Sequence, residues 1–368
     1  MRNQRWLGLS AVLVTTLLVL AACQPASSSP SAAASASASV APAAFKACEV
    51  SDTGGIDDKG FNQNAYDGLK RAHDELGVDI AFLESTADTD YSKNIKAFVD
   101  QGCDLIVTVG FLLGDATQAG AVLHPDQLFA IVDYAYDPAF ANVLGLVFDT
   151  KSASMLQGYL AAGMSQTGKV GTFGGIQFGP VTDFMDGYVA GVNYYNHVNG
   201  TDVKVLGWDP VTATGQFTGD FSDLDKGRAT AEALMQEGAD VIFAVAGPVG
   251  QGAMAAVKDA NTAGGTNYFI GVDVDQFVSV PGFESIMLSS ELKRMDNAVF
   301  AAVQQAMTGA WSTNLYVGTL ANDGVGMAAY HDLDSKVSAE LKAAIDALKA
   351  ALIDGSVKAD DYTGKPAA

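Results

Sequence analysis

The sequence predicts an α/β protein built as two doubly wound, parallel-sheet lobes joined by a hinge of three crossings. Short apolar runs at 80–83, 105–109, 128–132 and 143–147 alternate with helix-patterned stretches at 64–76, 92–101 and 114–123. That rhythm belongs to a parallel sheet covered by helices on both faces. A second series follows, with runs at 170–173, 203–208, 241–245 and 268–272 and helical stretches near 181–198, 226–237 and 250–263. Each series is too long to be one more βαβ unit, so each forms a lobe. The tail then changes rhythm: strand-like at 286–288, helical at 293–307, strand-like at 315–320, and a last helix at 338–352 with Gly355 beyond it. This reads as a chain that re-enters the first lobe and returns to the second. The crossings are expected near 148–154, 275–282 and 316–322, with a first lobe of 45–150 and 280–315 and a second of 151–279 and 316–368.

Arg2 and Arg5 precede an apolar run from Trp6 to Leu20 that ends in Leu20-Ala21-Ala22-Cys23. A charged start, an apolar core and small residues before a break define a signal peptide over residues 1–22. A cysteine directly after Leu-Ala-Ala resembles a bacterial lipobox, so lipidation of Cys23 is expected, with the lipid as the sole membrane attachment on the extracytoplasmic side. The rival, an uncleaved membrane helix, needs a span of about 20 residues and a charged stop after it. Residues 23–44 hold the lipidated cysteine and a Ser/Ala/Pro tether that cannot bury enough surface to fold.

The chain carries 21 basic and 42 acidic residues, a formal charge of −21, and removing Arg2 and Arg5 takes it to −23. No long run of one sign occurs. So acidic a surface has no electrostatic reason to bind nucleic acid, and without a basic cluster it disfavours phosphate-bearing ligands. Cys48 and Cys103 each stand just ahead of an apolar strand, 49–50 and 104–109, and in a sheet of order 2-1-3 those strands would be parallel neighbours with adjacent starts. An exported compartment permits a disulfide between them, and two small buried thiols are the alternative.

Catalytic patterns are sparse. His73, His124, His197 and His331 lack metal-ligand spacing, and no Gly-x-Ser-x-Gly elbow or phosphate loop occurs in the mature chain. Asp273-Val274-Asp275-Gln276 has the start of a calcium loop without its later Gly and Glu. No metal, cofactor or catalytic residue is expected.

The most informative stretch is Ser51-Asp52-Thr53-Gly54-Gly55-Ile56-Asp57-Asp58-Lys59-Gly60-Phe61-Asn62-Gln63. It places a carboxylate, an aromatic ring and an amide at the mouth of the first β-α unit. That combination suits a ligand made of a sugar and a ring, whereas an Asx turn with a core Phe is the plain alternative. Other candidates also fall just after strands: Gly110-Phe111, Asp133, Gly174-Gly175, Gly247 and Gly250, and Asp273 and Asp275. In doubly wound sheets such ends converge on one cleft.

The signature stretch resembles that of the basic membrane protein family, the purine nucleoside receptor lipoproteins of ABC importers. The likeness continues through Phe129-Ala130-Ile131-Val132-Asp133, Ser152 to Ala162, Phe184-Met185-Asp186-Gly187-Tyr188-Val189-Ala190-Gly191, Asp240 to Gly247, Ile270 to Gln276 and Ser290 to Val299. It implies a type I periplasmic-binding-protein fold, a nucleoside ligand, an ABC permease as partner and a monomer that is not an enzyme. It further implies that Phe61 and Phe184 sandwich the base and that Asn62 and Asp133 bond its edge. Asp273, Lys293 and the Gly247 backbone would hold the ribose, with Asp52 closing the first-lobe side. This chain departs from the family pattern at Gly60, at Pro248 and in the polar run Ser289-Ser290-Glu291. Two other classes compete with this reading: an exported sensor uncoupled from an importer, and a nucleoside hydrolase, whose aspartate cluster Asp57 and Asp58 only imitate.

Overall fold

The computed structural model describes residues 44–365. The signal peptide, Cys23 and nearly all of the tether lie outside the described residues. The first series is β1 (Lys46–Val50), α1 (Phe61–Leu76), β2 (Asp79–Leu83), α2 (Asp88–Asp100), β3 (Leu105–Val109), α3 (Gly114–Leu123), β4 (Leu128–Val132) and β5 (Val143–Phe148). The second runs α4 (Thr150–Met164), β6 (Lys169–Gly174), α5 (Gly179–Asn199), β7 (Lys204–Leu206), the hairpin β8 (Trp208–Asp209) and β9 (Thr214–Gly215), α6 (Leu224–Gln236) and β10 (Val241–Val245). It continues with α7 (Gly250–Thr262), β11 (Tyr268–Gly271), the single turn α8 (Gln276–Ser279) and β12 (Met287–Lys293). The tail is α9 (Met295–Met307), β13 (Tyr316–Gly318), β14 (Val325–Met327) and α10 (Ala339–Asp354).

Two six-stranded sheets result, ordered β13-β5-β4-β3-β1-β2 and β14-β12-β11-β10-β6-β7. Their central strands, such as LIVTV in β3 and VIFAV in β10, are buried at every residue, as expected of strands covered on both faces. The expected run 203–208 is broken at Gly207, whose φ of 86° turns the chain from β7 into the hairpin. On the second sheet, α4 lies against α5 at unusually short range. A Cβ on Gly158 would meet the Tyr188 carbonyl oxygen at 2.0 Å, and one on Gly191 would meet that of Met155 at 2.1 Å.

The tail departs from expectation. Residues 280–293 do not enter the first lobe: β12 pairs with β11 and β14 inside the second sheet. The second crossing therefore falls at Arg294, not at 275–282. Beyond it, α9 buries Met295, Ala298, Val299, Ala302 and Val303 with Ala65 and Leu69 of α1 in the first-lobe core. β13 likewise pairs with β5 in the first sheet, so the last crossing is the stretch between Gly318 and Val325. Polar Ser289, Ser290 and Glu291 hide the length of β12, and β13 and β14 have three residues each, too few for a period of two to show. The crossings are laced together by Asp149 N–H donating to Gly318 O at 2.8 Å and Arg294 N–H donating to Gly324 O at 2.9 Å.

Cys48 sits in the middle of β1, and it is bonded to Cys103 with Cα atoms 6.1 Å apart. The register explains the reach, since Cys48 lies opposite Ile106 of the parallel neighbour β3, three residues beyond Cys103.

Candidate ligand-binding cleft

The two lobes repeat one scaffold. In each, the third strand of the series (β3 or β10) leads through a short 3-10 turn, Phe111–Leu113 or Gly247–Val249, into the next helix. In each, the strand beside it (β4 or β11) leads to an aspartate with a left-handed backbone, Asp133 at φ 65° and Asp273 at φ 68°. Asp tolerates this conformation better than most residues, and its use at two matching positions points to a functional demand. The strand ends face each other across one cavity, the place where doubly wound sheets bind small molecules.

Asp52, Phe61, Asn62, Asp133, Phe184, Gly247, Asp273 and Lys293, all singled out in the sequence, line this one cavity. Their arrangement differs from expectation. Lys293 ends β12 of the second sheet, so it does not come from a segment re-entering the first lobe. Its ammonium reaches across to Asp133 Oδ2 at 2.5 Å, with the side chains 2% and 9% exposed. It also stands over the rings of Phe61, Phe148 and Phe184 at 4.9, 5.3 and 5.6 Å from their centroids, within cation–π range. Asp133 is thus engaged with a protein cation and not held toward open space.

Asn62 is occupied as well. Its Oδ1 accepts from Asp52 N–H at 3.3 Å, and its Nδ2 donates to Asp52 Oδ1 at 2.7 Å and Asp58 Oδ2 at 3.2 Å. The amide braces two carboxylates. Asp58 also collects the N–H groups of Gly60, Asn62 and Gln63 at the start of α1, where helix-end amides favour an anion. Burial nevertheless pushes its carboxyl above the usual range. Asp52 is pushed up to about 6, by burial above all, against the lowering effect of Gly54 N–H and Asn62. Asp273 is pushed up to about 7, again by burial, with Lys293 opposing and Asp133, Asp58 and Asp52 adding to the rise. Among the described residues no donor reaches the Asp273 carboxylate, although its backbone carbonyl accepts from Lys293 N–H at 2.9 Å and Asn64 Nδ2 at 3.3 Å.

The rings are distributed unevenly. Phe61, on the first turn of α1, is half-buried at the wall, while Phe184 is 3% exposed and belongs to the second-lobe core. Phe111, Phe178 and Phe221 also line the cavity. Sequence reasoning reached Phe111 only as a strand-end neighbour and missed the other two, which sit in loops with no periodicity. Further contacts join the lobes: Gln251 Nε2 donates to Asp58 O at 3.4 Å, Ser279 Oγ to Lys59 O at 2.8 Å, and Asn64 Nδ2 to Lys293 O at 2.8 Å. The cleft is shut. Chemically it offers carboxylate acceptors, apolar ring faces and a single wall cation that a carboxylate already neutralises.

Comparison with known proteins agrees with this geometry. A family described as ABC transporter substrate-binding protein, PnrA-like, matches residues 45–361. Basic membrane protein A of Borreliella burgdorferi is 32% identical over 83% of this chain and 84% of its own length. A Lactococcus lactis protein named ABC transporter nucleoside-binding protein BmpA is 31% identical over 96% of this chain and 98% of its own. A solved ABC solute-binding protein from Aeropyrum pernix K1 superposes with a TM-score of 0.77 at 28% identity, covering 85% of this chain and 92% of that one. The two parallel-sheet lobes are those of the type I periplasmic-binding fold. The chain belongs to the PnrA-like family of ABC transporter substrate-binding proteins.

Proposed function

We propose that this chain captures a nucleoside, purine in preference, between its lobes and hands it to an ABC permease while a lipid on Cys23 tethers it outside the cytoplasmic membrane. One observation carries the reading: a single cavity joins ring faces to buried carboxylates that face it, with its wall lysine spent on Asp133. Ribose hydroxyls are donors suited to Asp273, which has none from the described residues, and Lys293 and the Gly247 turn flank that end. A base N–H suits Asp52, and the Phe61 ring takes the base face, with Phe184 and Phe221 on the opposing lobe. Stacking of a base on such a ring is worth about 1–3 kcal/mol and tolerates different bases. The relative named as nucleoside-binding supports the ligand class, and the lipobox supports the tether.

A phosphate would enter a wall bearing Asp52, Asp58, Asp133 and Asp273 with no free cation among the described lining residues. Calorimetry with guanosine, inosine, adenosine and their monophosphates tests this. Nucleosides are expected to bind at least tenfold more tightly than their monophosphates. Equal or tighter binding of the monophosphates refutes the reading.

A further inference from the structure

Phe111 and Phe178 come from opposite lobes and meet face to face, with centroids 4.9 Å apart and planes at 12°. We propose that this pair is a specificity-determining roof, which closes over the base end of the cavity and limits what the outer edge of the bound ring can carry. The inference rests on the nucleoside reading given above.

Position comes first. Phe111 follows Gly110, and a Cβ on Gly110 would lie 3.1 Å from Asp52 Oδ2 and 3.5 Å from the Phe61 ring. The pair therefore stands beside the Asp52–Phe61 part of the cavity, where the base is placed. Depth agrees: Lys293 is 2% and Asp273 6% exposed, whereas Phe111 keeps 36% of its surface in solvent. Lys293 and Asp273 lie at the floor of the cavity, and Phe111 stands at its mouth.

The two rings also spend a face on each other, so they are not the rings that sandwich a ligand. Each is supported from behind. Tyr134 lies 5.2 Å from Phe111 and Tyr136 a further 4.7 Å on, its hydroxyl donating to Gly114 O at 2.7 Å. On the other lobe Phe221 flanks Phe178 at 6.0 Å. Gly114 is what lets Tyr134 stand there, because a Cβ would meet that ring at 2.4 Å. A group added to the outer edge of a base must part Phe111 from Phe178, and it then loses both the stack and the closure of the mouth.

The test measures adenosine and N6-benzyladenosine binding to the purified protein and to Phe111→Ala, Phe178→Ala and the double variant. Wild type should favour adenosine strongly. Each single variant should cut that preference and raise the adenosine off-rate by roughly three- to tenfold, the range set by one aromatic pair. Because both changes remove the same stack, the double variant should go no further than either single one. An unchanged preference in a single variant, or additive effects in the double, overturns the roof. If wild type binds neither compound, the nucleoside reading fails on its own. The roof is then judged from the interlobe distance between spin labels at exposed Leu123 and Val211. Non-additive opening in the same variants upholds it, and no opening overturns it.

Discussion

Replacing Lys293 by Met removes the cation that ties the lobes at the floor of the cleft. The side chains of Lys293 and Asp133 are 2% and 9% exposed, and their polar atoms are 2.5 Å apart. In the closed form the substitution leaves Asp133 as a buried charge without its partner. Breaking a buried pair in this way costs about 3–5 kcal/mol, equivalent to roughly two to three and a half orders of magnitude in an equilibrium constant. The molecule has an escape that a rigid core lacks, because opening the lobes rehydrates Asp133. The penalty should therefore appear as a loss of closure, with the fold itself intact. Solution scattering with and without guanosine would show the variant failing to compact, and calorimetry would show at least a hundredfold loss of affinity. The combined variant Lys293→Met/Asp133→Asn separates two roles. With the stranded charge gone, it should recover most of the compaction if the lysine acts through Asp133. A double variant as impaired as the single one would mean that the lysine acts on the ligand directly. Unchanged compaction and affinity in Lys293→Met would refute the argument altogether.

Three further outcomes follow from other parts of the molecule. Phe61→Ala should weaken nucleoside binding roughly five- to hundredfold while leaving the melting curve nearly in place; Phe184→Ala, from a ring 3% exposed in the second-lobe core, should in addition cost about 3–5 kcal/mol of stability, and equal melting of the two variants would contradict that division. Raised carboxyl values at Asp52 and Asp273, about 6 and about 7, contribute stability to the closed empty form that is complete below their unfolded values near 4 and lost as pH rises through 6 and 7. Ligand-free protein should consequently expand in scattering between pH 5 and 8, and an Asp52→Asn/Asp273→Asn double variant that expands over the same window would count against the assignment. Glu49 lies in β1, next to Cys48, with neither carboxylate oxygen partnered, and burial, then Asp58 and Asp67, raise it well above its ordinary 4.5. A buried carboxyl raised in this way weakens the native state as pH climbs above its ordinary value, so Glu49→Leu should raise the unfolding free energy at pH 7. Its advantage should shrink as pH falls toward 5, and a margin independent of pH would contradict the raised carboxyl.

The architecture was legible because buried parallel strands are short, continuous apolar runs, and β3, β4, β10 and β11 are of that kind. The residues that line the cavity were legible for a related reason: doubly wound sheets put ligands at strand ends, and Asp52, Asp133 and Asp273 each follow an apolar strand closely. What sequence could not supply was pairing across the cleft. Nothing in the spacing of Asp133 and Lys293, 160 positions apart, says that they meet, and the same holds for Phe111 and Phe178. Asn62 was read as a ligand contact because its amide can serve a base edge. In the fold both N–H donors of that amide go to Asp52 and Asp58, a choice made by the turn from β1 into α1. The misplaced second crossing has a simple cause as well, since Glu291 is fully buried in β12, where an apolar residue would have extended the visible strand.

The repeated scaffold explains how one cavity comes to have two chemically different ends. Asp133 and Asp273 occupy matching strand ends with nearly the same backbone conformation, so the fold offers two equivalent carboxylates. Lys293 breaks the equivalence. Standing at the end of β12, next to β11 in the second sheet, it pairs with the aspartate of the opposite lobe and leaves its own lobe's Asp273 without a donor among the described residues. One carboxylate becomes part of the closure and the other faces the cavity. At a separation of about 6 Å and an effective dielectric near 20, two unit charges interact by about 3 kcal/mol. An added phosphate would meet repulsion of up to that order from Asp273 or Asp52 in their ionised forms, with no free cation among the described lining residues to offset it. A neutral sugar hydroxyl instead brings Asp273 the donor it lacks. The pairing that shuts the lobes is thus also what sets the charge that a ligand meets.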